Sequence, residues 1–205
     1  MKIEVYTAQE LKEKGTYLYP AAYQHYYNVI APNLINNLIW DNYLEPVKCF
    51  ATIFGIEIYD VDFIDASFKF DGKGMEHVLN SEKALRRYLR DNISSAQSKA
   101  YYSITCKNGK IKSRHSKIII RENDCPLTGL YTDNEILKPL LDFYHDWTIH
   151  YDSLETLVSD CLNSLFQLFS KEKDYINSEE AFLEYAKENE LSFCYEFNLI
   201  NLPQV

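Results

Sequence analysis

The spacing of apolar residues divides this chain into short strands and amphipathic helices. Residues 2–6 (KIEVY) alternate and predict a short strand. Thr7 and Glu10 follow at the spacing of a capping box, in which the Thr hydroxyl accepts from the Glu10 N–H and the Glu carboxylate reaches back. A short helix is expected there, stopping at Gly15. Tyr19, Tyr23, Tyr26 and Tyr27 fall at i, i+4, i+7 and i+8, one aromatic face of a helix that opens near Pro20. Pro32 is expected to break that helix from the apolar stretch 34–43, because its ring disfavours helical geometry in the residue before it. Glu45-Pro46 restarts a helix that runs to Gly55.

Residues 56–70 form the longest alternating run and predict one strand, with Ile64, Ala66, Phe68 and Phe70 on a single face and an Asp71-Gly72 turn at its end. Ser81 caps a helix over 82–92. Its apolar stripe is Ala84, Leu85, Tyr88 and Leu89, and its opposite side carries Lys83, Arg86, Arg87 and Arg90. Asn108-Gly109 reads as a two-residue type I′ turn joining strands 101–107 and 110–121. That turn sets Lys107 against Lys110, Thr105 against Lys112, Ser103 against Arg114 and Tyr101 against Ser116. These residues make a polar, basic face, and Tyr102, Ile104, Ile111 and His115 face the core. Apolar spacing is helical from 133 to 170, with Pro139 as an early-turn residue and a break near 149–153. Asn177-Ser178 caps a last helix over 179–189, and 191–197 alternate as a closing strand. These elements make a single α+β domain over 1–205, a small, mostly antiparallel sheet with helices packed on one face.

Composition narrows the class. The chain has 205 residues, 46% hydrophobic and 25% charged, enough apolar mass to offset chain entropy. No apolar run approaches the roughly 20 residues that cross a bilayer, and the first residues lack the apolar core of a secretory signal. Five scattered cysteines without a C-x-x-C pair read as reduced thiols, so a cytoplasmic protein is expected. Charge is segregated. Residues 83–121 hold 11 basic residues and one acid, whereas 151–205 hold 11 acids and three bases, within a net charge of −9. Such asymmetry bears on partners rather than on fold.

Four stretches resemble a known group: the opening KIEVYTAQEL, the run FGIEIYDVDFIDASFKFDGKGM, Lys112-Ser-Arg-His-Ser-Lys-Ile-Ile, and the tail SKEKDYINSEEAFLEYAKENELSF. Together they resemble a diffuse family of small, uncharacterised phage and prophage proteins, some of which carry the label of antitoxin. Where that family tends to have Ser-Gln-Gly-Asp-Gly, this chain has Phe68-Lys69-Phe70-Asp71-Gly72 and keeps only the Asp-Gly pair. The family brings no activity to carry over. The resemblance implies a mobile-element origin, residence in a bacterial host cytoplasm, and action as an inhibitor or modulator of a host system such as anti-defence.

Candidate chemistry is sparse. No phosphate-binding glycine loop, H-E-x-x-H, G-x-S-x-G or nucleophilic Cys motif occurs, so no enzyme, cofactor or metal is expected. Asp142, His145, Asp146 and His150 share a helical stripe, but the His pair is spaced i, i+5, and a solvated helix face is the plainer reading. His115 reads as a hydrogen-bonded core residue, and Asp60, Asp62 and Asp65 as a solvated strand face lacking the glycine and distal Glu of a calcium loop. The strongest signal is basic. Lys83, Arg86, Arg87, Arg90, Lys107, Lys110, Lys112 and Arg114, with Tyr101 as a stacking platform, make a candidate nucleic-acid or phosphate surface. The alternatives are a protected sheet edge, or neutralisation by the acidic C-terminal part within the chain or across a homodimer. Glu180, Glu184 and Glu188 form an acidic stripe, and Tyr19, Tyr23, Tyr26 and Tyr27 an amphipathic face; both are candidate protein interfaces, weighed against a solvated helix face and core packing. The leading expectation is a non-enzymatic protein that binds a host protein. The alternative is a nucleic-acid-binding module using helix 82–92 and hairpin 101–121.

Overall fold

A computed structural model describes residues 4–71, 82–94, 101–105, 111–115, 118–119, 125–151 and 153–194. The chain is α+β, and its contacts group into two compact units, one of residues 1–38 with 170–205 and one of residues 39–169. Among the described residues the strands pair two by two, in three antiparallel ladders and one parallel ladder. No helix among them is long and apolar enough to cross a membrane.

The first unit joins the two ends of the sequence. Strand β1 (Val5–Tyr6) pairs antiparallel with β8 (Phe193–Cys194). Helix α1 (Ala8–Glu13) opens on the expected capping box: Thr7 Oγ1 accepts from Glu10 N at 3.2 Å, and Glu10 Oε2 accepts from Thr7 N at 2.8 Å. It ends before Gly15, whose φ of +61° is one that L side chains resist. Helix α2 (Leu18–His25) runs into a π turn, Tyr26–Ile30, and then into α3 (Ala31–Leu38). Pro32 therefore does not break the helix. The π turn shifts the ladder by one residue, with Ala31 N–H donating to Tyr26 O, just before the residue that has no N–H to give. Asn33 Nδ2 donates to Val29 O at 3.0 Å and so serves a carbonyl at that irregularity. Helix α8 (Glu179–Glu188) is capped by Ser178, whose Oγ accepts from Ala181 N at 3.1 Å. Leu11, Ala22, Tyr26, Ala31, Phe182, Ala186, Leu191 and Phe193 form this unit's buried core.

The second unit is built round aromatic rings. A π segment, Ile39–Tyr43, leads into α4 (Leu44–Phe54), which closes on Gly55 in the left-handed region as expected. The alternating run 56–70 is not one strand but a hairpin, β2 (Glu57–Asp62) and β3 (Ser67–Asp71). Asp62 Oδ1 accepts from the backbone of Ile64 and Asp65, which folds the chain back in an Asx turn. The turn changes which residue faces inward: Phe63 is 4% exposed and Ile64 52%. An extra residue in β2 bulges between Tyr59 and Asp62, where Asp60 takes φ +52°. Phe63 then packs on Tyr43, Phe166 and Phe169 at centroid separations of 5.0–5.3 Å.

Helix α5 (Glu82–Asn92) matches its predicted span and buries Leu85 and Leu89. Strand β4 (Ile93–Ser94) pairs in parallel with β7 (Ile118–Ile119). Strands β5 (Tyr101–Thr105) and β6 (Ile111–His115) pair antiparallel, but one residue out of step with a two-residue loop. Thr105 is opposite Ile111, Tyr102 opposite Arg114 and Tyr101 opposite His115. The grouping of Tyr101 with Lys112 and Arg114 therefore does not hold, since a slip of one residue exchanges every cross-strand partner. The Asn108-Gly109 turn lies outside the described residues.

Helix α6 (Thr132–His145) carries Pro139 in its interior rather than its first turn, and α7 (Leu154–Ile176) follows the 146–153 break. Asp133 is fully buried. Its carboxylate accepts from the N–H groups of Leu127, Thr128 and Gly129 at 2.7–3.0 Å and from Thr128 Oγ1 at 2.7 Å, and so fixes the loop before α6. Cys161 lies in the core of α7, where burial pushes its thiol up.

Candidate nucleic-acid interface

The first turns of α5 bring Glu82, Lys83, Arg86 and Arg87 beside the C-terminal end of α6. Arg86 does not stand in solvent with the other cations. Its side chain is 10% exposed, and its Nε donates to Glu82 Oε1 at 2.8 Å. Its terminal nitrogens donate to the carbonyls of Phe143, Asp146 and Ile149. Those carbonyls lie at and beyond the end of α6, where a helix leaves acceptors without partners and a cation is favoured. The guanidinium also lies over the Phe143 ring at 4.0 Å and over the Trp147 ring at 4.6 Å. Helical spacing predicts Arg86 on the basic side of the helix with Lys83 and Arg87; its place beside Leu85 and Leu89 instead puts it within reach of an open helix end, which takes up the guanidinium.

The turn after α6 is held by Asp146, whose Oδ1 accepts from Thr148 N at 2.8 Å and Thr148 Oγ1 at 2.7 Å. These bonds hold the Asp146 carboxyl below its ordinary range. Glu82 is likewise held low, first by Arg86 and then by His150, whose Nδ1 lies 2.9 Å from Glu82 Oε2. The turn leaves Trp147 75% exposed. A groove of about 710 Å³ runs between the two elements, lined by Lys83, Arg87, Tyr144, His145 and Trp147, with Glu82 and Arg86. Lys83 and Arg87 are exposed there, and no ion-pair partner of either occurs among the described residues.

Other basic candidates are not joined to this groove by what is described. For Arg90, Tyr101, Lys112 and Arg114 the backbone position is described, in α5, β5 and β6. Lys107 and Lys110 lie outside the described residues. The amino-acid sequence carries one signal for Trp147, the Asp-x-Thr spacing of a side-chain-capped turn, which displays the residue between.

Of the two readings of the tyrosine face, core packing describes Tyr26, which is buried, while Tyr19 and Tyr23 pack half-buried against the core of the first unit. Tyr19, Tyr23 and Tyr26 set their rings 5.5–5.8 Å from Phe182. Their hydroxyls donate to Glu179 Oε1, Asn177 O and Ile176 O at 2.6–2.8 Å. Burial pushes Tyr26 up to about 12. Tyr27 alone of the four is exposed, at 46%. Glu180, Glu184 and Glu188 are exposed along α8, with Glu184 accepting from Tyr175 Oη.

Of the remaining acidic and imidazole candidates, Asp60, Asp62, Asp146 and His150 are taken up by local structure, and Asp65, Asp142 and His145 are exposed. Asp60 pairs with Lys69 at 2.7 Å, Asp62 and Asp146 hold turns, and His150 meets Glu82. No group of three or more His, Cys, Asp or Glu suited to a metal ion occurs among the described residues. No family model matches this chain, and neither a curated protein nor a solved structure matches it.

Proposed function

We propose that this chain is a non-enzymatic binding protein, and that the groove between α5 and the end of α6 takes the phosphates of a nucleic acid. The observation that carries the reading is the pair of exposed cations, Lys83 and Arg87, beside an exposed indole in one groove. Phosphates draw cations and release counterions, and an aromatic plate adds contact that charge alone does not give. The overall charge of −9 opposes a polyanion at long range, but a Debye length of about 8 Å at physiological salt leaves the local field in control near the surface.

The test is charge reversal. Lys83→Glu with Arg87→Glu is expected to abolish binding of a short labelled oligonucleotide while leaving the melting temperature within a few degrees, since both side chains are exposed. Lys112→Glu with Arg114→Glu measures whether the β5–β6 hairpin shares the surface. Binding undisturbed by the first pair overturns the assignment to this groove.

A second reading has its own observation. The exposed carboxylates of Glu180, Glu184 and Glu188 line α8 opposite its packed side, which holds Ala181, Phe182 and Ala186. That face suits a basic patch on a host protein, the mode expected of a phage-encoded inhibitor or modulator. Changing all three to Gln would remove such an interaction and leave nucleic-acid binding intact.

A further inference from the structure

We infer that the groove selects unpaired bases, with Trp147 as the stacking plate and Arg86 as the positioning residue that holds it; this rests on the nucleic-acid reading above. Three observations carry the inference. Trp147 is 75% exposed although it sits on a turn fixed at both ends by Asp146 and Thr148, so its display is built by the backbone. An exposed indole alone marks nothing, but this one shares a groove with the exposed cations Lys83 and Arg87. The indole is also backed. The Arg86 guanidinium lies over it at 4.6 Å and over the buried Phe143 ring at 4.0 Å. Arg86 is in turn locked by Glu82 and by the carbonyls of Phe143, Asp146 and Ile149.

A guanidinium with this many partners is a poor phosphate ligand, because taking a phosphate would strip hydrogen bonds from the end of α6. Its planar face and fixed fork suit it to hold a ring. The phosphates then fall to Lys83 and Arg87. Bases in a duplex are stacked on each other and present only their edges, whereas an unpaired base offers a face to an aromatic plate. An acidic polypeptide would satisfy the cations but has no base to place on the indole.

The experiment reads Trp147 directly in the full chain, in a Trp40→Phe background, because Trp40 and Trp147 are the two tryptophans. Titration with a single-stranded oligothymidine of about 12 nucleotides is expected to quench Trp147 emission. The matching duplex and poly-glutamate, at equal charge, are expected to bind more weakly and leave the emission unchanged. Trp147→Ala, followed by anisotropy of a labelled strand, should weaken single-strand binding roughly 5- to 150-fold, the range of one base stack, and remove the preference over duplex. Arg86→Lys keeps the charge but loses the fork and the planar face. It should raise acrylamide quenching of Trp147 in the free protein and lower single-strand affinity in parallel, with a folded circular-dichroism spectrum.

Equal binding of strand and duplex, or a Trp147→Ala variant with unchanged affinity, overturns the stacking inference while the phosphate reading stands. Poly-glutamate binding as tightly as the strand, with no change in emission, also overturns it and assigns the groove to an acidic protein. Absence of binding to any of the three polyanions overturns both the inference and the reading beneath it.

Discussion

The Arg86 side chain serves one carboxylate, three main-chain carbonyls and two rings, and its removal is costly at each of them. Arg86→Ala leaves the part-buried carbonyls of Phe143 and Ile149 without these donors and is expected to cost roughly 1–3 kcal/mol, read by urea denaturation. A loss below about 1 kcal/mol would show that water replaces the guanidinium there. Tyr26 gives a residue-scale prediction in pH. Its hydroxyl is held neutral to about 12, above the ordinary value near 10, because burial disfavours the phenolate. A raised acid favours the folded state fully below the unfolded value and loses that contribution as pH climbs through the folded one. Stability should therefore fall between about pH 10 and 12, by roughly 2–3 kcal/mol from this group. Tyr26→Phe should flatten that part of the curve, and an unchanged slope would contradict the assignment. None of this was legible at single positions. A tyrosine at helical spacing reads equally as surface or core, and an arginine beside a leucine stripe gives no sign that a helix end lies within its reach.

At the scale of elements, the signals that held were local. The Thr7–Glu10 box, the Ser178 cap and the left-handed Gly55 stop each depend on a few adjacent residues. The expectations that failed depended on partners distant in sequence or on an irregular ladder. Alternation over 56–70 was real, but period two cannot reveal that Asp62 bends the chain and turns Phe63, not Ile64, inward. Pro32 predicts a break because its ring disfavours helical geometry in the residue before it; Ala31 is nonetheless helical, at the end of a π turn whose shifted ladder accommodates the proline. The β5–β6 register is directly testable. A Ser103→Cys, Ser113→Cys pair, directly opposed, should form a disulfide under mild oxidation, whereas Ser103→Cys with Arg114→Cys should not. Cross-linking of the second pair alone, identified by peptide mass, would restore the two-residue loop.

At the scale of the whole molecule, charge is divided between regions. The exposed cations of the groove belong to the unit of residues 39–169, and the acidic row of α8 to the unit that joins the two ends of the chain. The sequence showed this division as a basic middle and an acidic end, because net charge per segment needs no fold to be counted. It grouped Tyr101 with Lys112 and Arg114, which the β5–β6 register separates, and did not single out Trp147, since only the fold brings the turn after α6 to the start of α5. The proposed role of Lys83 and Arg87 is to neutralise phosphates. Its most direct measurement is the affinity of the wild-type chain for a short single strand across salt concentration. Two neutralised phosphates predict that log K falls with log salt at a slope of about −1.4, steeper if the hairpin contributes, and that reversal of Lys83 and Arg87 abolishes the binding. Binding whose strength does not change between about 50 and 200 mM salt, or no binding at the lower value, would contradict it.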